Sequence, residues 1–430
     1  MLSTLLLYLA ALSPGLVTAA ESKVSCSSAT FTVNSAADAT ALSQCSTLFG
    51  DVQIGPDVTS INLSGPVSIT GDLRLDNGIV ISLASDSIAT IAGTLAINNA
   101  TILSTLALRN LTSVGSLQMQ TVPSLSELGF DRGITSAKSV YIEDTGFLSS
   151  LDGLAFTQIV DITLAQNLRL NSVDLPLVNA TGVLKFVENG QSLKVNLPDL
   201  TTVNELSISN VTQIQVPALQ TILGTGTIDT SYFTTFSAPV LRSCGDGLSI
   251  VNNPELRSIL LPELSSVTGS LLVANNSDLT KIDGFSKLET ISEDVELVGD
   301  FYDVALPDVV NVGGNLFVSS RFNITESCAA LQHLAPVSQG GGGQVHGNFT
   351  CLSNNKNVVP ESLVSSSTTY FSTSISTFSN SSAQTTGPMA TSTTPTSTLT
   401  PTPSSSGSQT RSETSKCGVY LSILILAILR

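Results

Sequence analysis

The sequence predicts a mainly β fold, a right-handed parallel β-solenoid of about 13 coils of about 22 residues. Three observations carry that prediction. First, a triplet reading apolar–variable–apolar recurs at 52–54, 73–75, 95–97, 117–119, 140–142, 162–164, 184–186, 206–208, 226–228, 248–250, 271–273, 295–297 and 316–318. Alternation with a period of two marks a strand with one face inward, and repetition at a fixed longer period marks stacked units that cannot bury their apolar faces alone. Second, an apolar-Pro-x-apolar signal falls between triplets, as in Val122-Pro123-Ser124-Leu125, Val216-Pro217-Ala218-Leu219 and Leu261-Pro262-Glu263-Leu264. Proline lacks the ladder donor and belongs at corners. Third, the rhythm stops at both ends in segments that contain cysteine pairs.

The elements are taken in chain order. Residues 1–20 read as a secretory signal, an apolar run closing on Val17-Thr18-Ala19-Ala20. Residues 21–50 form an N-terminal cap. Ser35-Ala36-Ala37-Asp38 has capping-box spacing and opens a short helix through about Gln44, flanked by Cys26 and Cys45. Residues 51–321 hold the coils. Residues 322–358 form a C-terminal cap with Cys328 and Cys351, and the four glycines within 339–344 read as a mobile loop. In an exported chain these four cysteines are expected in disulfides. Of the three possible pairings, Cys26 with Cys45 and Cys328 with Cys351 is the expectation; with Cys417 lost with the tail, that leaves Cys244 as a buried odd thiol.

Residues 359–416 are rich in Ser and Thr with interspersed prolines, a composition that cannot bury a core and reads as an O-glycosylated stalk. Residues 417–430 form a short apolar tail. Small residues upstream, a polar spacer and that tail are the three parts of a GPI-attachment signal, with Ser406 or Gly407 as the attachment site. Sequons at Asn62, Asn99, Asn110, Asn179, Asn210, Asn275, Asn323, Asn348 and Asn380 fit an exported glycoprotein.

Composition narrows the function. With 33 acidic and 17 basic residues and a formal charge of −16, the chain offers no surface for nucleic-acid phosphates. There is no Trp, and 15 Phe with 6 Tyr leave an aliphatic core and few platforms for stacking sugars. The outward middle positions of the triplets are Gln53, Arg74, Ala96, Gln118, Tyr141, Thr163, Lys185, Ser207, Thr227, Ser249, Leu272, Glu296 and Phe317. A polysaccharide-cleaving solenoid would group carboxylates or a basic–acidic set on adjacent coils, and no neighbouring members of this row do so. The acidic run Glu293, Asp294, Glu296, Asp300 and Asp303 lacks the spacing of a calcium loop and reads as a solvated edge. His333 and His346 stand beside no nucleophile or metal motif. No catalytic residue, cofactor site or metal site is assigned. Four residues after a triplet start come Asn77, Asn99, Asp144, Gln166, Glu188, Asn210, Asn252 and Asn275, expected to bond freed backbone groups at a corner. Asn99, Asn210 and Asn275 are also sequons, which favours an outward placement.

The runs Leu248-Ser249-Ile250-Val251-Asn252-Asn253-Pro254-Glu255-Leu256, Leu271-Leu272-Val273-Ala274-Asn275-Asn276 and Ile282-Asp283-Gly284-Phe285 resemble receptor L-domain-like, leucine-rich-like repeats. Taken with the signal, cap cysteines, stalk and tail, the chain resembles the fungal GPI-anchored cell-wall-organisation family, which includes extracellular-mutant and sporulation-specific wall proteins. Cys26, Cys45, Cys328 and Cys351 match that family's terminal pairs. The resemblance implies a non-enzymatic cell-surface glycoprotein supporting wall organisation and integrity. It would be held on the plasma membrane through the GPI lipid, or attached to cell-wall glucan. An adhesin or ligand-binding receptor-like ectodomain is the alternative, and a wall-polysaccharide enzyme a third reading.

Overall fold

Each coil contributes one strand to a long parallel sheet, and the strands align triplet on triplet. Val52 pairs with Leu73, Leu73 with Leu95, Leu95 with Leu117 and Leu117 with Val140. The same register continues through Ile162, Leu184, Leu206, Gly226, Leu248, Leu271, Val295 and Leu316. The thirteen triplets of the sequence are thus thirteen rungs of one ladder, about 60 Å long at about 4.8 Å per step. The architecture comes from a computed structural model that describes residues 25–356. The signal at 1–20, the stalk at 359–416, the tail at 417–430, Asn380, Ser406 and Gly407 lie outside the described residues.

Other sides of the coil carry shorter parallel ladders, among them Ser60–Asn62 with Ser82–Ser85 and Thr105–Leu108, and Ser172–Asp174 with Lys194–Asn196 and Gln213–Gln215. Between the sides the chain turns sharply. In Val122–Leu125, Val216–Leu219 and Leu261–Leu264 the fourth residue donates its N–H to the first carbonyl, at 3.3, 3.2 and 3.1 Å. Both apolar ends of each turn are buried and the proline between them presets φ. The interior is mostly aliphatic, as the composition predicts, but six phenylalanines are also fully buried: Phe130, Phe156, Phe186, Phe236, Phe285 and Phe301.

The ends differ from expectation in three ways. The N-terminal cap adds a strand, Ser27–Val33, that extends the ladder by pairing Phe31 with Val52. Its helix, Ala36–Leu42, begins at N-cap Ser35, whose hydroxyl accepts from Asp38 N–H while Asn34 N–H donates to Asp38 Oδ2 at 2.9 Å. At the other end the repeat resumes. After the helix Thr325–Leu331 and two 3₁₀ turns, the strand Phe349–Leu352 rejoins the ladder with Phe349 opposite Leu316. The glycine run is a knit turn, not a loose loop: Gly342 N–H donates to His333 O at 2.7 Å and Gly343 N–H to Ala335 O at 2.9 Å. Only glycine fits at 341, where a Cβ would lie 2.1 Å from Ala335 O. Disulfides join Cys26 to Cys45 and Cys328 to Cys351, each with Cα atoms 5.6 Å apart. Closing loops of this length is worth about 3 kcal/mol apiece in a chain-entropy account.

The polar ladder that satisfies the corners lies one residue beyond the position expected from sequence. At the expected position Asn99, Asp144, Gln166, Glu188, Asn210, Asn252 and Asn275 adopt positive φ and swing the chain around the corner. Their side chains bond outside the core, Asn252 Nδ2 to Asp229 Oδ1 at 3.0 Å and Gln166 Nε2 to Glu188 Oε2 at 3.1 Å. The next residue points inward: Thr145, Asn167, Asn189, Ser231, Asn253 and Asn276 are buried. Asn253 Oδ1 accepts from Ser231 N–H at 2.9 Å, and its Nδ2 donates to Val251 O, Ile228 O and Asn276 Oδ1. Asn276 Oδ1 in turn accepts Asn253 N–H, and Asn276 Nδ2 reaches Ile250 O. Each asparagine therefore ties its corner to the preceding coil. Asn77 is the exception, buried at the expected position and bonded to Gly55 O and Val58 O.

This interior sets two expected outcomes. Asn253→Ala leaves Ser231 N–H and several carbonyls without partners, each orphan costing about 1–3 kcal/mol, so chemical denaturation should show a loss of at least about 2 kcal/mol. Asn252→Gly, at positive φ, should be close to neutral. Cys244 is fully buried, and burial raises its thiol from 9.0 to about 12. Because the folded pKa is the higher one, the protonated thiol's contribution to stability is complete below about pH 9 and lost as pH climbs toward 12. At pH 8 Cys244 should stay unreactive to thiol reagents until the chain is denatured.

Candidate functional site

The outward face of the long sheet runs across every triplet strand of the repeat. Register places Gln53, Arg74, Ala96, Gln118, Tyr141, Thr163, Lys185, Ser207, Thr227, Ser249, Leu272, Glu296 and Phe317 in one row, strand beside strand. The sequence reading of this row missed what flanks it. Arg74 pairs with two carboxylates from adjacent coils, Asp51 at 2.8 Å and Asp72. A basic–acidic group on neighbouring coils is therefore present after all.

Those carboxylates are engaged in holding coils together. Asp51 Oδ1 accepts Asp72 N–H at 3.0 Å, Asp72 Oδ1 accepts Thr94 N–H at 2.7 Å, Asp161 Oδ1 accepts Val183 N–H at 2.8 Å and Asp294 Oδ1 accepts Asn315 N–H at 2.7 Å. Each of these aspartates directly precedes its triplet and bonds the start of the next coil's strand. Its carboxylate fills the space beside a glycine of that coil: a Cβ at Gly71, Gly93, Gly182 or Gly314 would lie within 2.3 Å of an aspartate Oδ1. The pairing of Asp51 with Gly71, and Asp72 with Gly93, was readable as a recurring Asp–Gly spacing near 21 residues.

The other candidates are similarly dispersed. In the acidic run, Glu293 accepts from Ser270 Oγ at 3.0 Å, Asp300 meets Arg321 at 2.6 Å and Asp303 accepts from Ser327 Oγ at 3.2 Å. Among the described residues no three His, Cys, Asp or Glu side chains converge on a metal position. His333 Nδ1 lies 2.7 Å from Ala330 O within its own turn. Tyr141 donates to Glu143 at 2.5 Å; burial, that bond and the carboxylate's charge raise its phenol to about 12. It stays protonated at any physiological pH and cannot serve as a base.

None of the eight sequon asparagines within the described residues is buried. They nevertheless differ in what holds the carboxamide. Asn62 and Asn323 accept from the hydroxyls of their own sequons, Ser64 at 2.6 Å and Thr325 at 2.7 Å. Asn210 uses its Nδ2 to reach Asn189 O at 2.7 Å, and Asn99 and Asn275 donate to Asp76 and Asn252 on the preceding coil. No helix among the described residues is long and apolar enough to cross a membrane.

Relatives align along most of this architecture. The chain is 33% identical over 322 residues to a cell surface GPI-anchored protein of Arthroderma benhamiae, covering 74% of this chain and 81% of that protein. It is 30% identical over 299 residues to the ecm33 protein of Aspergillus fumigatus, covering 69% and 74% of the two chains. With the cell wall mannoprotein PST1 of Saccharomyces cerevisiae it shares 31% identity over 311 residues, covering 72% and 68%. No family model matches the chain, and no solved structure matches it. On this similarity over more than two thirds of its length, the chain belongs to the family of fungal cell-surface GPI-anchored proteins that includes Ecm33.

Proposed function

We propose that this protein is a non-enzymatic GPI-anchored glycoprotein of the fungal cell surface that supports cell-wall organisation. The observation that carries this reading is the fate of the surface carboxylates. Asp51, Asp72, Asp161 and Asp294 are engaged by backbone N–H groups of the following coil. A glycoside-cleaving site needs a carboxyl pair free to act as acid and base across a substrate. These four acids serve cohesion, and what remains outside is a varied surface. Relatives named for the cell surface and the cell wall support the location.

The stalk at 359–416 would act as a spacer, and the attachment at Ser406 or Gly407 would fix the solenoid to the membrane lipid or pass it to wall glucan. The test is a host strain lacking the protein, complemented either by the full chain or by a form ending at Pro403. Only the full chain should restore growth on wall-perturbing agents. Full rescue by the secreted, unanchored form would overturn the tethered-scaffold reading.

Glycan attachment should follow carboxamide geometry. Glycopeptide mapping is expected to find Asn62 and Asn323 occupied and Asn210 bare, because Asn210 Nδ2 is tied to a backbone carbonyl.

A further inference from the structure

Two exposed aromatic rings stack on each other near the C-terminal end of the ladder. Tyr302 and Phe322 are 57% and 36% exposed, and their rings lie with centroids 4.3 Å apart and planes 9° apart. The other ring pair among the described residues, Phe233 with Phe236, is buried in the core. The exposed stack joins two neighbouring coils. Tyr302 follows the strand Val295–Gly299 and Phe322 follows Leu316–Ser320, strands that pair in register. The Arg321–Asp300 ion pair ties the same two coils at 2.6 Å. Backbone bonds fix both residues: Tyr302 N–H donates to Thr280 O at 2.8 Å, Phe322 N–H to Ser320 Oγ at 3.0 Å, and Asn354 N–H to Phe322 O at 3.0 Å. A ring pair held open to water in this way is a platform for a ligand with an apolar face and polar edges.

A covalent anchor for such a ligand stands next to it. Phe322 is followed directly by the sequon Asn323-Ile324-Thr325, and among the nine sequons this one alone has an aromatic residue immediately before its asparagine. Asn323 is exposed, and its carboxamide is held by the oxygen. Asn323 Oδ1 accepts from Thr325 N–H at 3.1 Å, Thr325 Oγ1 at 2.7 Å and Ser353 Oγ at 3.1 Å. Nδ2, the atom to which an N-linked sugar is joined, donates to no group among the described residues. The first sugar is therefore anchored on a residue whose Cα lies about 3.8 Å from that of Phe322. A pyranose has faces lined by C–H groups and a rim of hydroxyls, which suits an aromatic face with a polar tip such as that of Tyr302. The tether makes the contact intramolecular, so an attraction too weak to hold a free sugar still forms.

We propose that the Tyr302–Phe322 stack is the seat of an N-linked glycan on Asn323, with the first N-acetylglucosamine laid by its C–H face against the rings. The glycan then covers the exposed aromatic pair, and the last coils present sugar where they would otherwise present a bare apolar patch to other chains. This inference rests on the reading that Asn323 is glycosylated, and the test separates the two.

The test is release of glycans from the natively folded, full secreted chain by a peptide-N-glycosidase, followed over time by glycopeptide mapping. The parent is compared with Tyr302→Ala, the other occupied sequons serving as internal rate controls and the unreactive Cys244 as the check of folding. Tyr302 lies on the coil before the sequon, so its truncation leaves the bonds of Thr325 and Ser353 to Asn323 in place. Release at Asn323 should be about two- to tenfold faster in Tyr302→Ala, the range that one aromatic contact supplies, with the control sites unchanged. Tyr302→Phe, which keeps the ring, should retain the parent's rate. Should Tyr302→Ala expose Cys244, Tyr302→Gln replaces it with the same expectation. Equal rates at an occupied Asn323 in parent and variant would overturn the seat and leave glycosylation standing, and release from Tyr302→Phe as fast as from Tyr302→Ala would overturn the stacking. An Asn323 found bare in the parent would overturn both readings and leave the stack open to a free wall saccharide or a second copy.

Discussion

The structure depends on one constraint: the strand groups of a coil can be satisfied only by the coils above and below it. Parallel strands exchange hydrogen bonds with neighbours and not within themselves, so a lone coil would bury little and leave its ladder groups unpaired. Each feature that departs from plain repetition answers this constraint. Aspartates before the triplets supply acceptors where the register shifts, as between Ile91 and Thr94 or Ala180 and Val183. Inward asparagines take up the N–H and C=O groups released where the chain turns. An unpaired buried group costs about 1–3 kcal/mol, and such a cost repeated at every coil would exceed the net stability of a typical domain.

The same constraint explains the ends. An end coil has one neighbour, and its outer ladder edge would be open to pairing with another chain. At the N-terminus the strand Ser27–Val33 and the helix Ala36–Leu42 close the stack, and the Cys26–Cys45 disulfide holds them. At the C-terminus Thr325–Leu331 and the glycine turn come between the last triplet strand and Phe349–Leu352, and Cys328–Cys351 ties helix to strand. Both caps combine a helix and a bonded strand, so the protection at each end is covalent as well as packed.

Most of the fold was legible because burial on one side enforces strict alternation and a nearly constant coil length. Slipping Leu248-Ser249-Ile250 by one residue would turn Leu248 and Ile250 out of the core, so the triplet and the register carry the same information. The corners were less legible. A polar pair such as Asn252-Asn253 shows that a corner exists but not which member turns inward, since that depends on the positive φ adopted by the first. The strand Phe349–Leu352 was hidden because the helix and turns before it break the period. The Arg74 group escaped notice because its carboxylates sit one residue outside the triplet, at Asp51 and Asp72.

Cohesion draws on the same sheet that presents the outward row, and the row changes along its length. In the early coils the outer face is polar, and its charges are partly spent on binding coil to coil, as at Arg74, Asp51 and Asp72. In the late coils it is apolar and dry, as at Ala274 and Val298. Between them lies a stretch of small and hydroxyl side chains, Thr163, Ser207, Thr227 and Ser249, around the single long cation Lys185. Short hydroxyl side chains have little rotamer freedom to lose, and each offers both a donor and an acceptor. Register holds these side chains strand beside strand, so the middle of the sheet presents a regular row of short hydroxyls that neither the charged early coils nor the apolar late coils repeat.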